Sequence, residues 1–363
     1  MKDLVMKRIL AFILLTVAAA SCSHHPDNLT LLVGTYTYDG SEGIYVCNFN
    51  PETGELAVLD SAKAVNPSFL AILEDGTKVY AVNETSDSTA SVETFARNGI
   101  KLESLGRRAT EGADPCYIST NGKLLLAANY SGGTLSVFNL EDGVPGELVQ
   151  SFDGTSRTDA DGRQFTPHVH CAVFTPDGEY VLATDFSGDR ILSYRIDGGR
   201  LVQNAGATLG KGFGPRHLTF SPDGRFVYCI GELSGEIAVF EYLDGLLTYV
   251  QTIKADPNDA GGSADIHISP DGKYLYASHR LEGDGISIFG IDPDDGTLTG
   301  TGYQRTGSHP RNFCLSPDGR FLLCACRDSN TVEIYCRDSR TGLLSPSDVP
   351  ALSLSRPVFL GFI

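Results

Sequence analysis

Past residue 28 the chain shows almost no helical periodicity, which excludes a helix-built fold. Positive charge is scarce as well: 28 Lys and Arg stand against 45 Asp and Glu, a formal net charge of −17. No basic patch offsets this, so long-range attraction to nucleic acid or to an anionic bilayer is disfavoured. An anionic small molecule would need a local cluster of Arg to overcome that field. Cys-x-x-Cys is absent, and with it the spacing of a thiolate zinc site. A Gly-rich phosphate loop, a Gly-x-Ser-x-Gly elbow and a His-Glu-x-x-His helix are also missing, which sets those enzyme classes aside. The apolar run from Ile9 to Ala20 is too short to span a bilayer and stop comfortably.

What the chain has instead is glycine, 40 residues of it, and a recurring turn. Ser-Pro-Asp-Gly and close relatives place an Asp-Gly or Asn-Gly pair at Asp75-Gly76, Asn121-Gly122, Asp177-Gly178, Asp223-Gly224, Asp271-Gly272 and Asp318-Gly319. A period of about 47 residues marks a repeat architecture. Each copy reads strand, tight turn, strand, since Pro sets its own φ and Gly accepts a positive one beside Asp. One repeat parses as four strands: Pro115 to Ser119, Lys123 to Ala128, Thr134 to Phe138 and Glu147 to Gln150. Six turns give six such blades. A seventh assembles from Leu31 to Thr35, Gly43 to Cys47 and Glu55 to Val58, with Pro357 to Ile363 as its fourth strand. The expected fold is all-β, a seven-bladed β-propeller of four-stranded antiparallel blades whose ring is closed by the N- and C-terminal strands, protecting its edges. One gap is about ten residues longer than the others; its extra residues lie between Phe152 and Thr166, have no strand pattern, and suit either a binding loop or a solvated one.

The front of the chain stands apart from the fold. Lys7-Arg8 precede the apolar run, which ends Ala19-Ala20-Ser21-Cys22. This resembles the lipobox of bacterial lipoproteins, in which the cysteine is acylated and becomes the mature N-terminus. The resemblance implies a signal peptide over residues 1–22, lipidation at Cys22, a tether over 23–28 and a propeller over 29–363, in an exported protein held to a membrane only by its lipid anchor. The alternative is an ordinary secretory signal cleaved nearby. The eight remaining cysteines sit mostly inside apolar strand patterns and are expected as buried thiols; Cys324 and Cys326 fall on one strand face.

The turn joins the first two strands of a blade at one face of the disc, so first-strand starts and second-strand ends must meet at the other. Unusual polar residues gather there. First strands start Pro167-His168-Val169-His170, Gly214-Pro215-Arg216-His217, Ala264-Asp265-Ile266-His267 and His309-Pro310-Arg311-Asn312. Second strands end Asn83-Glu84, Asn129-Tyr130, Asp185, Glu232, His279-Arg280 and Arg327. Folding of a blade needs none of this, because a buried charge costs several kcal/mol unless paired. The structural alternative is a ring of mutually satisfied polar caps between blades.

At these residues the chain resembles the seven-bladed lactonase family, which includes the bacterial propeller-type 6-phosphogluconolactonase and the fungal carboxy-muconate lactonising enzyme. The likeness is carried by Pro167 to Phe174, Thr184 to Arg190, Gly214 to Phe220, Ile230 to Leu233, Ile266 to Gly272, Ser278 to Arg280 and His309 to Phe313. It implies a catalytic set of His170, Arg216, Glu232 and Arg280, with His168, Asn129, Asp185, His217, His267, His309 and Arg311 toward the substrate. The partner implied is a small anionic or sugar-derived lactone. Glu232 would activate water if partial desolvation raised its pKa, the Arg side chains would hold an oxyanion or an anionic group, and His170 would shuttle the proton. Asp185, Glu232, Asn129 and His170 lack a ligand pair at familiar spacing and the Arg pair opposes a cation, so neither metal nor cofactor is expected. The rivals are a cycloisomerase acting on a muconate-like dicarboxylate and a non-catalytic binding propeller. An enzyme needs Glu232 and both Arg within reach of one ligand, in a pocket of roughly 300 Å³ or more.

Overall fold

The recurring turn is a closed hydrogen-bonded unit. Ser221 Oγ donates to Asp223 Oδ1 at 2.6 Å and accepts from the Phe226 amide at 2.9 Å. Gly224, at φ 73°, returns its amide to the Ser221 carbonyl at 2.8 Å. Only glycine takes that φ without strain. Ser269 with Asp271, Ser316 with Asp318 and Thr175 with Asp177 repeat the arrangement.

The computed structural model describes residues 28–158, 162 and 164–363. The leader, Cys22 and the tether through Asp27 lie outside the described residues. Seven antiparallel sheets follow one another around a ring. The first blade holds Leu29–Thr35, Gly43–Phe49 and Leu56–Lys63, and takes Pro357–Phe362 as its innermost strand. Innermost strands of the second to seventh blades are Leu70–Ile72, Pro115–Thr120, Val169–Phe174, Pro215–Phe220, Ser263–Ile268 and Pro310–Leu315. In the seventh blade the outer strand is broken into Leu344–Pro346 and Leu352–Ser353, both on Thr331–Arg337.

The core lies between neighbouring sheets. Second strands are covered on both faces and therefore read as continuous apolar runs: Leu124–Asn129, Phe226–Gly231 and Phe321–Cys326 are buried throughout. Outer strands face water, and Lys101–Ala109 is exposed along nearly its whole length. A repeated tyrosine fastens three of the blades to the next. Tyr80, Tyr228 and Tyr276 occupy the same place in their second strands, and each donates its hydroxyl to the hairpin glycine carbonyl of the following blade, Gly143, Gly296 and Gly342, at 2.8–3.0 Å. A buried phenol needs such an acceptor.

Two sequence expectations change. The insertion after Phe152 is not strandless: Arg157–Thr158 pairs with Gln164–Phe165, where the Arg157 guanidinium lies 4.6 Å from the Phe165 ring and pairs with Asp189. Two-residue strands are too short to show alternation. The thiols are free as expected, with Cys324 and Cys326 Sγ 3.8 Å apart, but Cys336 is exposed and Cys314 half-buried.

Candidate active site

Irregularity in the innermost strands aims the site. Six of them carry a β-bulge near the start, where the register with the second strand slips. The residues set out of register at the upper edge are Cys116, His170, Arg216, Ala264, Arg311 and Val358. A bulge redirects one side chain without disturbing the ladder beyond it. A second set comes from the residue just past the second strand of each blade: Tyr36, Glu84, Tyr130, Phe186, Glu232, Arg280 and Arg327. Together these positions surround the mouth of the central channel.

Tyr36, Glu84, Cys116, Tyr130, His170, Glu232, Arg280 and Arg311 line a cavity of about 180 Å³ there. Glu232 Oε2 accepts from Arg216 Nε at 2.8 Å, and its Oε1 lies 3.1 Å from Arg280 Nη2. Arg216, 2% exposed, also donates to the Ala264 carbonyl at 2.6 Å. Arg280 is fixed by the Gly262 carbonyl at 2.8 Å. Glu84 accepts from Tyr36 Oη at 2.9 Å and from Ser68 Oγ. Arg311 stands 3.9 Å from Glu84 and 5.4 Å from the Tyr36 ring centroid, and its guanidinium has no hydrogen-bond partner among the described residues. Two carboxylates thus face three guanidiniums, and the surplus charge is positive.

That surplus sets the protonation states. Burial pushes the Glu232 pKa up, but Arg280, Arg216 and Arg311 outweigh it and leave the carboxyl below its usual value. The expected rise does not occur, and Glu232 is firmly ionised. His170, 4% exposed, is pushed well down by burial and by Arg216, His217, Arg311 and Arg280, so its imidazole is neutral. Burial and the other two guanidiniums bring Arg280 down to about 10, Glu232 notwithstanding.

One step below the bulge layer lies a floor. Phe69 and Tyr117 stack with centroids 4.1 Å apart, Phe359 meets Phe69 at 4.8 Å, and His217 packs on Tyr117 at 5.2 Å. Asp265 and Asn312 complete it: Asp265 accepts from His217 Nδ1 at 2.7 Å and from the Asn312 amide. Burial brings His217 down to about 4. Rings and hydrogen bonds therefore close the channel beneath the cavity.

The four residues implied as catalytic meet at one mouth: Glu232 bridges Arg216 and Arg280, and His170 shares the cavity with Glu232 and Arg280, while Arg216 stands behind Glu232. Arg311 lines the cavity too. Others implied toward the substrate do not. Asn129 is fully buried and ties Thr134 and Ser136 to its own strand at 2.9 and 2.8 Å. Asp185, equally buried, accepts the amides of Thr155 and Gly188 at 3.0 and 3.2 Å. Each ends a second strand with its side chain between sheets, and the next residue, one pleat on, faces the mouth. His279 does the same work between Ser263 and Ser287, at 2.8 Å from each. His217 belongs to the floor, and His267 lies two residues beyond Asp265, 2.8 Å from its carboxylate. His168 bonds Ser187 at 2.8 Å and packs behind Tyr130 with ring centroids 4.4 Å apart. His309 sits beside Arg327, at 3.2 Å, outside the cavity lining. Cys116 and Tyr36 are lining residues that sequence reasoning missed. A signal existed: Cys116 follows Pro115 as Arg216 follows Pro215 and Arg311 follows Pro310.

The cavity is smaller than the size expected of a small-molecule pocket. Among the described residues, no group of three His, Cys, Asp or Glu side chains is arranged to hold a metal ion.

Comparison with known proteins places the chain. The family model described as lactonase, 7-bladed beta-propeller matches residues 30–362. A Formosa agariphila protein named 6-phosphogluconolactonase is 34% identical over 86% of this chain and 94% of its own length. A solved Bacteroides uniformis structure, described as a candidate 6-phosphogluconolactonase, is 50% identical, with a TM-score of 0.90 over 93% of this chain and 100% of that one. The periplasmic gluconolactonase of Pseudomonas aeruginosa is 32% identical, with a TM-score of 0.87 over 93% of this chain and 99% of that one. With its fold, its mouth and these relatives in agreement, the chain belongs to the seven-bladed β-propeller lactonase family.

Proposed function

We propose that the protein hydrolyses a sugar-derived lactone bearing an anionic group, in a 6-phosphogluconolactonase-like reaction, with His170 as the proton acceptor. Relatives named for lactone hydrolysis support the reaction class. The observation that carries the roles is a neutral His170 sharing one cavity with the guanidiniums of Arg280 and Arg311. Arg311 receives the anionic group, for which a charge-assisted fork is suited. The imidazole takes a proton from water as the water oxygen adds to the lactone carbonyl. Arg280 faces the charge that develops on the carbonyl oxygen. Collapse breaks the ring C–O bond, and the imidazolium returns its proton to the departing alkoxide, giving a hydroxy acid. Burial and Arg216 depress His170 most, but Arg311 and Arg280 add to it, and an anionic substrate that neutralises those two raises the basicity of the imidazole. Glu232 holds Arg216 and Arg280 at fixed distances.

One observation favours a second reading, a binding propeller without turnover: Glu232 already engages both of its Arg neighbours. A pH-stat assay of purified protein against neutral, carboxylated and phosphorylated lactones of several ring sizes decides between them. Ring opening no faster than in buffer across that panel removes the hydrolase, and tight retention without product establishes the binder. For the hydrolase, His170→Asn lowers kcat by about 10²- to 10⁴-fold with little change in KM.

Export and acylation at Cys22 belong to the same proposal. They rest on Lys7-Arg8, the run Ile9 to Ala20, the Ala19-Ala20-Ser21-Cys22 ending and the periplasmic setting named for the Pseudomonas relative. Labelled palmitate incorporated by the wild type and lost in Cys22→Ala is the expected result.

A further inference from the structure

We infer that Asp265 is a positioning residue: through His217 it fixes the guanidinium of Arg216, and through Arg216 the carboxylate of Glu232. Asp265 is 2% exposed, yet its carboxylate gathers donors from three blades. His217 Nδ1 lies at 2.7 Å, His267 Nε2 at 2.8 Å, the Phe313 amide at 3.3 Å, and the Asn312 amide closes the set. A carboxylate so surrounded stays ionised and only accepts, so His217 must carry its proton on Nδ1. The other end of the ring gives the same answer independently. Arg216 Nη1 is 3.1 Å from His217 Nε2, and a guanidinium can only donate, so Nε2 must present its lone pair. Arg216 is then held by His217, the Ala264 carbonyl at 2.6 Å and Glu232 Oε2 at 2.8 Å. If Nε2 carried the proton instead, two donors would face each other at 3.1 Å and Arg216 would swing away from Glu232. None of these links touches the cavity directly except Glu232, which is why the effect is one of positioning.

Asp265→Asn tests this. The asparagine meets several donors with a single acceptor oxygen, so the His217 tautomer loses its anchor. We expect kcat for lactone opening to fall about 10- to 100-fold with KM within about threefold, as for loss of an outer hydrogen-bonding partner. The kinetic arm rests on the lactonase reading. ¹⁵N NMR of the imidazoles needs no substrate: His217 in the wild type should show a protonated Nδ1 and a bare Nε2, and Asp265→Asn should lose that pattern. A wild-type His217 protonated on Nε2, or a folded Asp265→Asn with wild-type kcat, overturns the inference. If Asp265→Asn fails to fold, the wild-type spectrum still decides, and His217→Leu should reproduce the kcat loss where His217→Gln, which keeps a donor and an acceptor, recovers part of it. A wild type that opens no lactone but shows the expected tautomer sinks the lactonase reading and leaves the positioning chain intact.

Discussion

Replacing Glu232 by Gln keeps the shape of the side chain and removes its charge. The amide oxygen can still accept from Arg216 Nε, but the amide nitrogen then points its hydrogens at Arg280 Nη2, where 3.1 Å now separates two donors. Arg216 is 2% exposed and Arg280 6%, so water can replace little of what the carboxylate gave either guanidinium. Breaking one side of a buried ion pair costs about 3–5 kcal/mol because a buried charge is left uncompensated. With an unfolding entropy of about 2.1 cal/mol/K per residue, each kcal/mol moves the melting temperature of a chain this long by about 1.4 °C. The expected loss is therefore about 4–7 °C, read by calorimetry at one scan rate. Because the guanidinium facing the oxyanion is displaced too, kcat should drop about 10²- to 10³-fold. Adding Arg280→Met to Glu232→Gln should restore part of the lost stability, since it removes the stranded charge. A melting temperature within about 1 °C of wild type, or two single effects that merely add, would refute the view of Glu232 as a clamp.

Arg311→Met should raise KM for a phosphorylated or carboxylated lactone at least tenfold and leave a neutral lactone nearly unaffected, because a charge-assisted bond is worth about 1.5–3 kcal/mol; equal effects on both would remove the anion role. Burial holds His217 and His279 at about 4, against an unfolded value near 6.5, so the unfolded chain binds more protons between those values and stability falls as pH drops through that window. The slope should approach about 1.4 kcal/mol per pH unit for each imidazole, and His279→Asn, copying Asn83 and Asn129 at the same place in their blades, should shrink the difference in melting temperature between pH 7 and pH 5. Leu126, 1% exposed between the third and fourth blades, should cost about 2–5 kcal/mol when cut to Ala in urea denaturation.

The ring and its closure were legible because Ser-Pro-Asp-Gly is a local hydrogen-bonded device that must recur wherever the same hairpin recurs. The mouth was legible only to within one pleat. Asn129 and Tyr130 are neighbours in sequence, but a strand sends alternate side chains to opposite faces, so one secures the sheet and the other meets the cavity. His217 was displaced for a related reason: the bulge at Arg216 adds a residue, and the side chain after it drops to the floor. Cys116 reads as core because a thiol in an apolar strand looks like any small hydrophobe, and only its place after Pro115 sets it apart. The protonation of Glu232 could not be read from the chain at all, since it depends on Arg280 and Arg311 arriving from other blades.

Because the slipped residue and the one past the second strand project from the sheets toward the channel mouth, each unit offers two sockets there. New specificity can then be written one unit at a time, by exchanging what fills a socket, while the tyrosine fastenings and serine-capped hairpins keep the disc rigid. Relatives that differ in substrate should accordingly differ in the sockets outside the clamp of Arg216, Glu232 and Arg280.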